Sequence, residues 1–309
     1  METSQYINNL MPPKGQVDVI LDTDAFNEID DQYAIAYLLA CGEKLNIKGF
    51  CAAPFYINGR SASPADGMER SYQEILKILK LAERTEFLDK VYRGSLTYLP
   101  NENTPVESDS ADFMATLADC YSPQKPLYIV AIGAITNVAS AILKNPQMVE
   151  NTVIIWLGGR GLHMPRGVQE FNMQQDIAAA RVVMGCGVPV VQLPCTGVVD
   201  HFITTGPELN YWLVDKNPLA DYLARNTIQE AESYARGKPW SRVIWDVTAV
   251  AWLMNDDYRF MHGRLCPSPI PEYDGHYAID PNRHFITYVY EIYRDALMEE
   301  LFRRLGGMK

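Results

Sequence analysis

The fold follows from one stretch near the N-terminus, Val17-Asp18-Val19-Ile20-Leu21-Asp22-Thr23-Asp24-Ala25-Phe26-Asn27-Glu28-Ile29-Asp30-Asp31. The run Val17–Leu21 is short, apolar and rich in β-branched residues, which is typical of a buried strand. The apolar run Tyr33–Ala40, directly after the second pair of aspartates, predicts a helix. The order strand, acidic loop, helix predicts the opening unit of an α/β protein.

The same alternation continues along the chain. Apolar runs predict further strands at Leu45–Phe50, Leu127–Ile132, Val153–Leu157 and Pro189–Leu193. Helices are predicted at Met68–Ala82, at Ala111–Cys120, from Thr136 onward and at Ala178–Met184. Strands that alternate with helices predict a mostly parallel central sheet flanked by helices.

The final third of the chain is expected to be more helical, and the start is a polar leader, Met1–Gly15. Late helices are predicted at Pro207–Val214, Leu219–Ala235, Asp246–Met254 and Tyr293–Leu305, with a late strand at His284–Ile292. Because no stretch has the composition of a linker, we expect one domain over residues 1–309.

Composition and charge restrict the class of partner. The 309 residues are 48% hydrophobic, enough for a large core, and the formal net charge is −11. An acidic surface disfavours nucleic acid and anionic membranes as partners, but it is compatible with small neutral substrates. The N-terminus has no signal-peptide pattern, and no run approaches the roughly 20 apolar residues of a membrane span. The six irregularly spaced cysteines contain no C-x-x-C pair, so we expect free thiols in a cytoplasmic protein.

Four carboxylates lie at the expected carboxyl end of the first strand: Asp22, Asp24, Asp30 and Asp31. In open α/β sheets, this end of the strands faces the ligand crevice. Carboxylates so close together repel one another unless a cation joins them, and their hard oxygen atoms suit Ca²⁺ or Mg²⁺ better than zinc. The alternative is that one aspartate caps the following helix, a role that does not need four. The cluster therefore predicts a metal site.

The spacing of these aspartates resembles the N-terminal signature of the inosine–uridine nucleoside hydrolase family, a D-x-D followed by D-D at a helix start. The resemblance implies that Asp24 and Asp31 bind calcium and that Asp30 holds a ribose hydroxyl. It also implies that Asp24 is the general base that takes a proton from the attacking water. The sequence departs from the family pattern in its longer loop, Ala25–Ile29, where Asn27 is a candidate sugar contact together with the neighbouring glutamate.

Two further motifs follow in the family's order. Val130–Ala139 is similar to the family's strand, Gly-x-Leu-Thr-Asn and helix, which implies that the backbone carbonyl of Ile132 is a calcium ligand. A carbonyl ligand needs no particular side chain, so isoleucine is acceptable there. Gly158-Gly159 followed by Glu170-Phe171-Asn172 resembles the family's Gly-Gly and Glu-Phe-Asn segment. This resemblance implies that Glu170 and Asn172 hold ribose hydroxyls.

The last motif is Trp245-Asp246, whose aspartate is implied to complete the metal shell. Many family members have histidine before this aspartate as a proton donor, whereas purine-preferring members resemble this chain. Because a tryptophan ring can stack on a base, Trp245 favours purine nucleosides, and Trp240 is a second candidate ring. His163 is a candidate group for the leaving base, and Arg166 a candidate partner for an anionic substituent.

A family asparagine that follows the second strand is missing from this chain. Cys51–Phe55 occupies that region, so the sugar contact is lost or moves to Asn58. The resemblance as a whole implies hydrolysis of ribonucleosides to ribose and free base, with calcium as cofactor and purine salvage as the role. It also implies a homodimer or homotetramer.

Three other functions are compatible with part of the pattern. A phosphatase of the haloacid dehalogenase type also begins with a strand and D-x-D, but it needs Thr or Val where this chain has Phe26. A non-catalytic, metal-dependent ribose-binding protein would keep the aspartates and lose turnover. A hydrolase of another N-riboside would keep both the aspartates and the turnover.

Overall fold

The computed structural model describes residues 1–57 and 59–308, and its centre is an eight-stranded sheet. The strands are β1 (Val17–Thr23), β2 (Leu45–Ala52), β3 (Val91–Arg93), β4 (Leu127–Ala131), β5 (Thr152–Leu157), β6 (Val190–Leu193), β7 (Ile203–Thr204), β8 (Arg242–Val243), β9 (Met261–Pro267), β10 (Ile270–Pro271), β11 (Tyr277–Ala278) and β12 (Phe285–Ile292). The order in the sheet is β3-β2-β1-β4-β5-β6-β12-β9. All neighbours pair in parallel except β12 and β9, so the prediction of a mostly parallel sheet is confirmed.

Helices cover both faces of this sheet, as predicted. They are α1 (Thr3–Asn9), α2 (Asp30–Ala40), α3 (Pro64–Leu81), α4 (Asp109–Ala118), α5 (Thr136–Lys144), α6 (Met148–Asn151), α7 (Phe171–Gln175), α8 (Ile177–Gly185), α9 (Gly206–Trp212), α10 (Pro218–Ala235), α11 (Val247–Leu253) and α12 (Arg294–Gly306). Short 3-10 helices occupy Thr85–Lys90, Val199–His201 and Asp256–Tyr258. In the described part of the chain, every helix is too short or too polar to cross a membrane.

The two faces of the sheet bury separate apolar clusters. Successive side chains of a strand point to opposite faces, so Val19 and Leu21 of β1 join one cluster and Ile20 joins the other. The first cluster includes residues of α2, α3, α10, α11 and α12, and the second includes residues of α4, α5 and α8. Fully burying one such aliphatic side chain stabilises the fold by about 1.5–3 kcal/mol. The apolar runs of the sequence are therefore strands buried on both faces.

The polar leader is partly helical, which the sequence analysis did not predict. Residues Thr3–Asn9 form α1, whose Tyr6 hydroxyl donates to the carbonyl of Phe285 over 2.8 Å. Leu10 follows this helix and is fully buried, and its carbonyl accepts a hydrogen bond from Thr287 over 2.7 Å. The leader is therefore held against β12. Its helix is stabilised by this tertiary contact, and so short a segment shows no helical periodicity in the sequence.

The final third contains its predicted helices and strand, but also four strands, β8 to β11, that the sequence analysis missed. The longest of them, β9, is an edge strand with mostly half-exposed residues. Such a strand lacks the continuous apolar run that reveals a central strand, because only one edge and part of one face are covered.

The order in which the strands are connected places the ligand crevice at one point of the sheet. From β1 the chain passes outward to β2 and β3, and it then returns to β4 on the other side of β1. The carboxyl ends of β1 and β4 are thus neighbours at a topological switch point, where open α/β sheets bind ligands. The backbone N–H of Ile132 donates to the carbonyl of Asp22 over 2.9 Å, which continues the β1–β4 pairing into this crevice.

Candidate active site

A cavity of about 240 Å³ opens at the switch point. It is lined by Asp24, Asn27, Glu28, Asp30, Asp31, Ile132, Leu157, Arg160, Gln169, Glu170, Phe171, Asn172, Cys195, Thr196, Trp245 and Asp246. Among the site residues predicted from the sequence, Asp22, His163, Arg166 and Trp240 do not line this cavity, whereas the others that the structure describes do. These residues come from separate segments that follow β1, β4, β5 and β6 or precede α11. The fold therefore brings distant motifs to one cavity.

The carboxylates of Asp30, Asp31 and Asp246 form one cluster in this cavity. Each offers an oxygen atom within 4.8 Å of the others, and all three side chains are buried. Asp30 and Asp31 occupy the first turn of α2, and Asp246 directly precedes α11. The helix dipole of α2 favours negative charge at this end. The alternative that an aspartate caps α2 is wrong, because its N-cap is Ile29 and no side chain caps it there.

Asp24 lies in the same cavity, beyond the end of β1. It is buried, and its Oδ2 has no hydrogen-bond partner within the described residues. By contrast, Asp31 accepts a hydrogen bond from the Thr23 hydroxyl over 2.5 Å. The Asp24 side chain fits beside residue 133 because that residue is glycine. A Cβ atom at Gly133 would lie 2.9 Å from Oδ1 of Asp24. A buried carboxylate oxygen without a donor is the kind of atom that a cation satisfies.

Burial raises the pKa of every carboxyl group in this cluster. The pKa of Asp30 rises to about 7, where Glu28 adds to the rise and Arg242 opposes it. The pKa values of Asp24, Asp31 and Asp246 are well above the ordinary range, first through burial and then through their mutual repulsion. Four buried carboxyl groups that repel one another favour a shared cation, because its positive charge stabilises their ionised forms and opposes these shifts.

The carbonyl of Ile132 adds a neutral oxygen atom to this set. Ile132 follows β4 and lines the cavity. Its carbonyl accepts one hydrogen bond, from the Asn172 amide over 3.2 Å, and a carbonyl oxygen has two lone pairs. Three or four carboxylates and one carbonyl form an all-oxygen donor set, which fits a hard divalent cation.

Glu170 has a structural task besides any contact with a ligand. It caps α7 and accepts from the backbone N–H groups of Asn172 over 2.9 Å and Met173 over 3.1 Å. A third N–H, that of Gly159, donates to it over 2.7 Å. Gly159 has φ +81°, and a Cβ atom there would lie 2.0 Å from the Tyr277 hydroxyl, so only glycine fits. Glu170 is thus held rigidly at the cavity.

The longer loop after Asp24 is held by two arginines. Arg60 donates to the carbonyl of Asn27, and Arg242 forms an ion pair with Glu28 at 2.8 Å. Both Asn27 and Glu28 line the cavity, as the sequence suggested for the loop. Asn58, the other candidate for the missing asparagine, lies outside the described residues.

The two tryptophans have different positions. Trp245 lines the cavity, and its indole N–H donates to the carbonyl of Cys195 over 3.2 Å, which fixes the ring. Trp240 packs instead against Gly206, where a Cβ atom would lie 3.0 Å from the ring. It does not belong to the lining residues, so the proposed second stacking ring is not supplied by Trp240.

His163 and Arg166 are exposed and do not line the cavity, in contrast to their suggested roles. Sequence reasoning instead missed Arg160, Thr196 and Cys195, which do line it. The signal for Arg160 was its place directly after Gly158-Gly159, at the end of a predicted strand. Burial raises the pKa of Cys195 well above its ordinary value, so its thiol is neutral. All six cysteines are free thiols, as expected.

Comparisons with known proteins point to one kind of enzyme. The family model described as inosine-uridine preferring nucleoside hydrolase matches residues 19–286. The chain is 24% identical over 265 residues to the pyrimidine-specific ribonucleoside hydrolase RihA of Escherichia coli, a match that covers 77% of this chain and 80% of that protein. It is 25% identical over 173 residues to the probable uridine nucleosidase 2 of Arabidopsis thaliana, a match that covers 55% of this chain and about half, 52%, of that protein.

A solved structure extends the likeness to the fold. The purine-preferring ribonucleoside hydrolase from Gardnerella vaginalis superimposes with a TM-score of 0.76 at 19% identity. The superposition covers 94% of this chain and 98% of that one. The names of these relatives divide between purines and pyrimidines, so base preference must be argued from the cavity of this chain.

Proposed function

This chain belongs to the inosine-uridine preferring nucleoside hydrolase family, and from that premise we propose that it hydrolyses the N-glycosidic bond of ribonucleosides, purines in preference to pyrimidines. The observation that carries the proposal is the convergence of Asp30, Asp31 and Asp246 at one cavity, within 4.8 Å of one another. Buried carboxylates from opposite ends of a chain are unfavourable without a compensating ligand. A divalent cation with a sugar diol is such a ligand.

The residues that would hold calcium are Asp24, Asp31, Asp246 and the carbonyl of Ile132. All their donor atoms are oxygens, which supports calcium over zinc. The chemistry that calcium supplies when bound is attachment of two vicinal hydroxyls and a lowered pKa of a water molecule. Magnesium is the less suitable ion, because it demands near-ideal octahedral geometry.

Asp24 is proposed as the general base. Its unpartnered Oδ2 would accept a proton from the water whose oxygen forms the new bond to C1′. The C1′–N bond breaks as that bond forms, and its electron pair leaves with the base, which takes a proton from solvent water to become the free base. The sugar gains positive character in this step, and the surrounding carboxylates stabilise it.

Four side chains are proposed to orient the sugar. Both N–H bonds of the Asn172 amide are used, since Nδ2 donates to the carbonyls of Ile132 over 3.2 Å and Leu157 over 3.0 Å. Its Oδ1 is therefore the atom that would accept from a ribose hydroxyl. Glu170 already accepts three backbone hydrogen bonds, which leaves about one lone-pair position for a hydroxyl. Asp30 and Asn27 complete this set.

Trp245 supports the purine preference. Its ring is fixed beside Asp246 in the cavity, and a purine offers a larger face for stacking than a pyrimidine. Among the described lining residues there is no histidine to protonate the leaving base. Stacking is therefore the contribution that this chain makes to departure of the base.

The test is the release of free ribose by the purified protein. Inosine, adenosine and uridine are each incubated with calcium, and again after removal of calcium with a chelator. We expect ribose from all three, with higher kcat/KM for the two purines, and loss of activity with the chelator. Tight ribose binding without any ribose release would instead identify a binding protein.

The proposal extends to assembly and location. We propose a homodimer or homotetramer, as the family resemblance implies, that acts in purine salvage in the cytoplasm, as the N-terminal sequence and the cysteines suggest. Light scattering of the purified protein measures the assembly, and a monomeric mass would contradict this part.

A further inference from the structure

Arg160 is a cation that lines an otherwise acidic cavity. Among the described lining residues it is the one arginine, alongside six carboxylates: Asp24, Asp30, Asp31, Asp246, Glu28 and Glu170. Its backbone is fixed on two sides, because its N–H donates to the carbonyl of Gly167 over 2.8 Å and it forms a parallel bridge with Thr196. The side chain therefore starts from a rigid position at the end of β5.

The guanidinium is not used to neutralise these carboxylates. Within residues 1–57 and 59–308, no carboxylate lies within the 4.0 Å of an ion pair with Arg160. Its Nε is buried and has no hydrogen-bond partner in the same residues. A buried donor of a charged group is costly to leave unsatisfied. By contrast, Arg60 and Arg242 at the neighbouring loop both form ion pairs with glutamates.

A planar guanidinium with free N–H groups recognises carboxylate or phosphate oxygens, often through two parallel hydrogen bonds. A neutral nucleoside offers no such group. We therefore propose that Arg160 forms, with Thr196, a subsite for an anionic substituent of the substrate, so that the preferred substrate is an N-riboside that carries a carboxylate or a phosphate. This inference rests on the proposed function and names its substrate class.

The position of Arg160 bears on which end of the substrate carries the charge. Its bridge partner Thr196 directly follows Cys195, whose carbonyl holds the indole of Trp245. Arg160 and the proposed base-stacking ring thus both contact the same segment of the chain, Cys195-Thr196. This arrangement favours a charged leaving base, and a 5′-phosphate is the other source of the same oxyanion chemistry.

The experiment compares matched substrates that differ by one anionic group. Uridine is compared with orotidine, which adds a carboxylate to the base, and with uridine 5′-monophosphate; inosine is compared with inosine 5′-monophosphate. For each pair, kcat/KM is measured with calcium for the unmodified protein, for Arg160→Gln and for Arg166→Gln. Arg166 is the matched control, because it is exposed and outside the cavity.

We expect the ratio of kcat/KM, anionic over neutral, to exceed 1 for at least one pair and to fall about tenfold to a hundredfold in Arg160→Gln, the effect of one charge-assisted hydrogen bond or more. Arg166→Gln should leave the ratio unchanged. The orotidine and 5′-phosphate arms tell which end of the substrate Arg160 contacts. An equal ratio in Arg160→Gln and the unmodified protein, for all pairs, would overturn the inference.

Failure of the proposed function gives a different result. In that case no substrate releases ribose, charged or neutral. Binding of orotidine and uridine, measured by calorimetry on the same three proteins, then still tests the subsite. Tighter binding of orotidine that is lost in Arg160→Gln supports it, and equal binding of both ligands overturns it.

Discussion

The backbone N–H of Asp246 donates a hydrogen bond to the carboxylate of Asp30 over 3.3 Å, although 216 residues separate them in the chain. This contact joins the start of α11 to the start of α2. It fixes the spacing of the carboxylates on which the proposed metal site depends. The pair is buried, so breaking this hydrogen bond would leave a buried polar group without its partner.

Asp24 and Asp30 can be distinguished by their separate roles. The proposal makes Asp24 both base and calcium ligand, and Asp30 a sugar contact, whereas the three carboxylates that lie within 4.8 Å of one another include Asp30 and not Asp24. Asp24→Asn should lower kcat by about 10²–10⁴-fold and weaken calcium binding. Asp30→Asn should mainly raise KM. Steady-state kinetics measure kcat and KM, and calorimetric titration measures the affinity for calcium. The exposed Asp295→Asn is the control. Greater loss of calcium affinity in Asp30→Asn would reverse the two roles.

The stability of the calcium-free protein should fall as pH rises. Burial raises the pKa of Asp22 and of Asp30 to about 7, from an ordinary value of 3.8. The folded protein thus keeps protons that the unfolded chain has released. Their stabilising effect is complete below about pH 4 and is lost as pH climbs through about 7. Thermal unfolding of metal-free protein at pH 5, 6, 7 and 8 measures it.

Calcium should counteract this loss most at the higher pH values. Its carboxylate ligands must be deprotonated, so protons compete with the ion at pH 5 and much less at pH 8. We expect the rise in melting temperature on adding calcium to increase steadily over this range. The same rise at pH 5 and at pH 8 would show that the ion does not bind these carboxylates.

Loss of the Trp245 ring should lower kcat/KM more for purine nucleosides than for pyrimidine nucleosides. Loss of a stacked ring costs about 1–3 kcal/mol for each base, and the larger base loses more contact. Trp245→Ala should therefore lower kcat/KM for inosine by about tenfold or more, and for uridine by less. Trp240→Ala is the control, since Trp240 packs against Gly206 outside the cavity. Equal losses for both nucleosides in Trp245→Ala would contradict stacking.

Arg242 should stabilise the acidic loop. It is half-buried and pairs with Glu28 at 2.8 Å, and its charge also lowers the pKa of Asp30. Arg242→Gln should cost about 1–2 kcal/mol of unfolding free energy, a value discounted because Glu28 keeps 39% of its surface exposed. Urea denaturation measures this. Arg225→Gln, which breaks exposed pairs with Asp215 and Asp221, should cost much less, because solvent screens exposed charges. Similar costs in both variants would mean that Arg242 has no special role.

The sequence by itself determined the inner strands of the central sheet and most of its helices, but not the edge strands β3 and β9, because a strand buried on both faces requires a continuous apolar run. Val17–Leu21, Leu127–Ile132 and Val153–Leu157 have such runs, and β1, β4 and β5 lie there. Motif order likewise located most of the predicted site residues at one cavity, although Asp22, His163, Arg166 and Trp240 do not line it. One domain over the whole chain, and the roles of these residues, remain predictions.

Only the tertiary structure decided features that depend on contacts between distant segments. The edge strand β9 and the helix α1 carry weak local signals, and packing against β12 is what orders them. The tertiary structure also decided the surroundings of Arg160. One arginine after two glycines does not indicate whether its side chain forms an ion pair with a carboxylate. Local physical chemistry determines where a strand or helix forms, whereas the partner of a charged side chain depends on which segments the fold brings beside it.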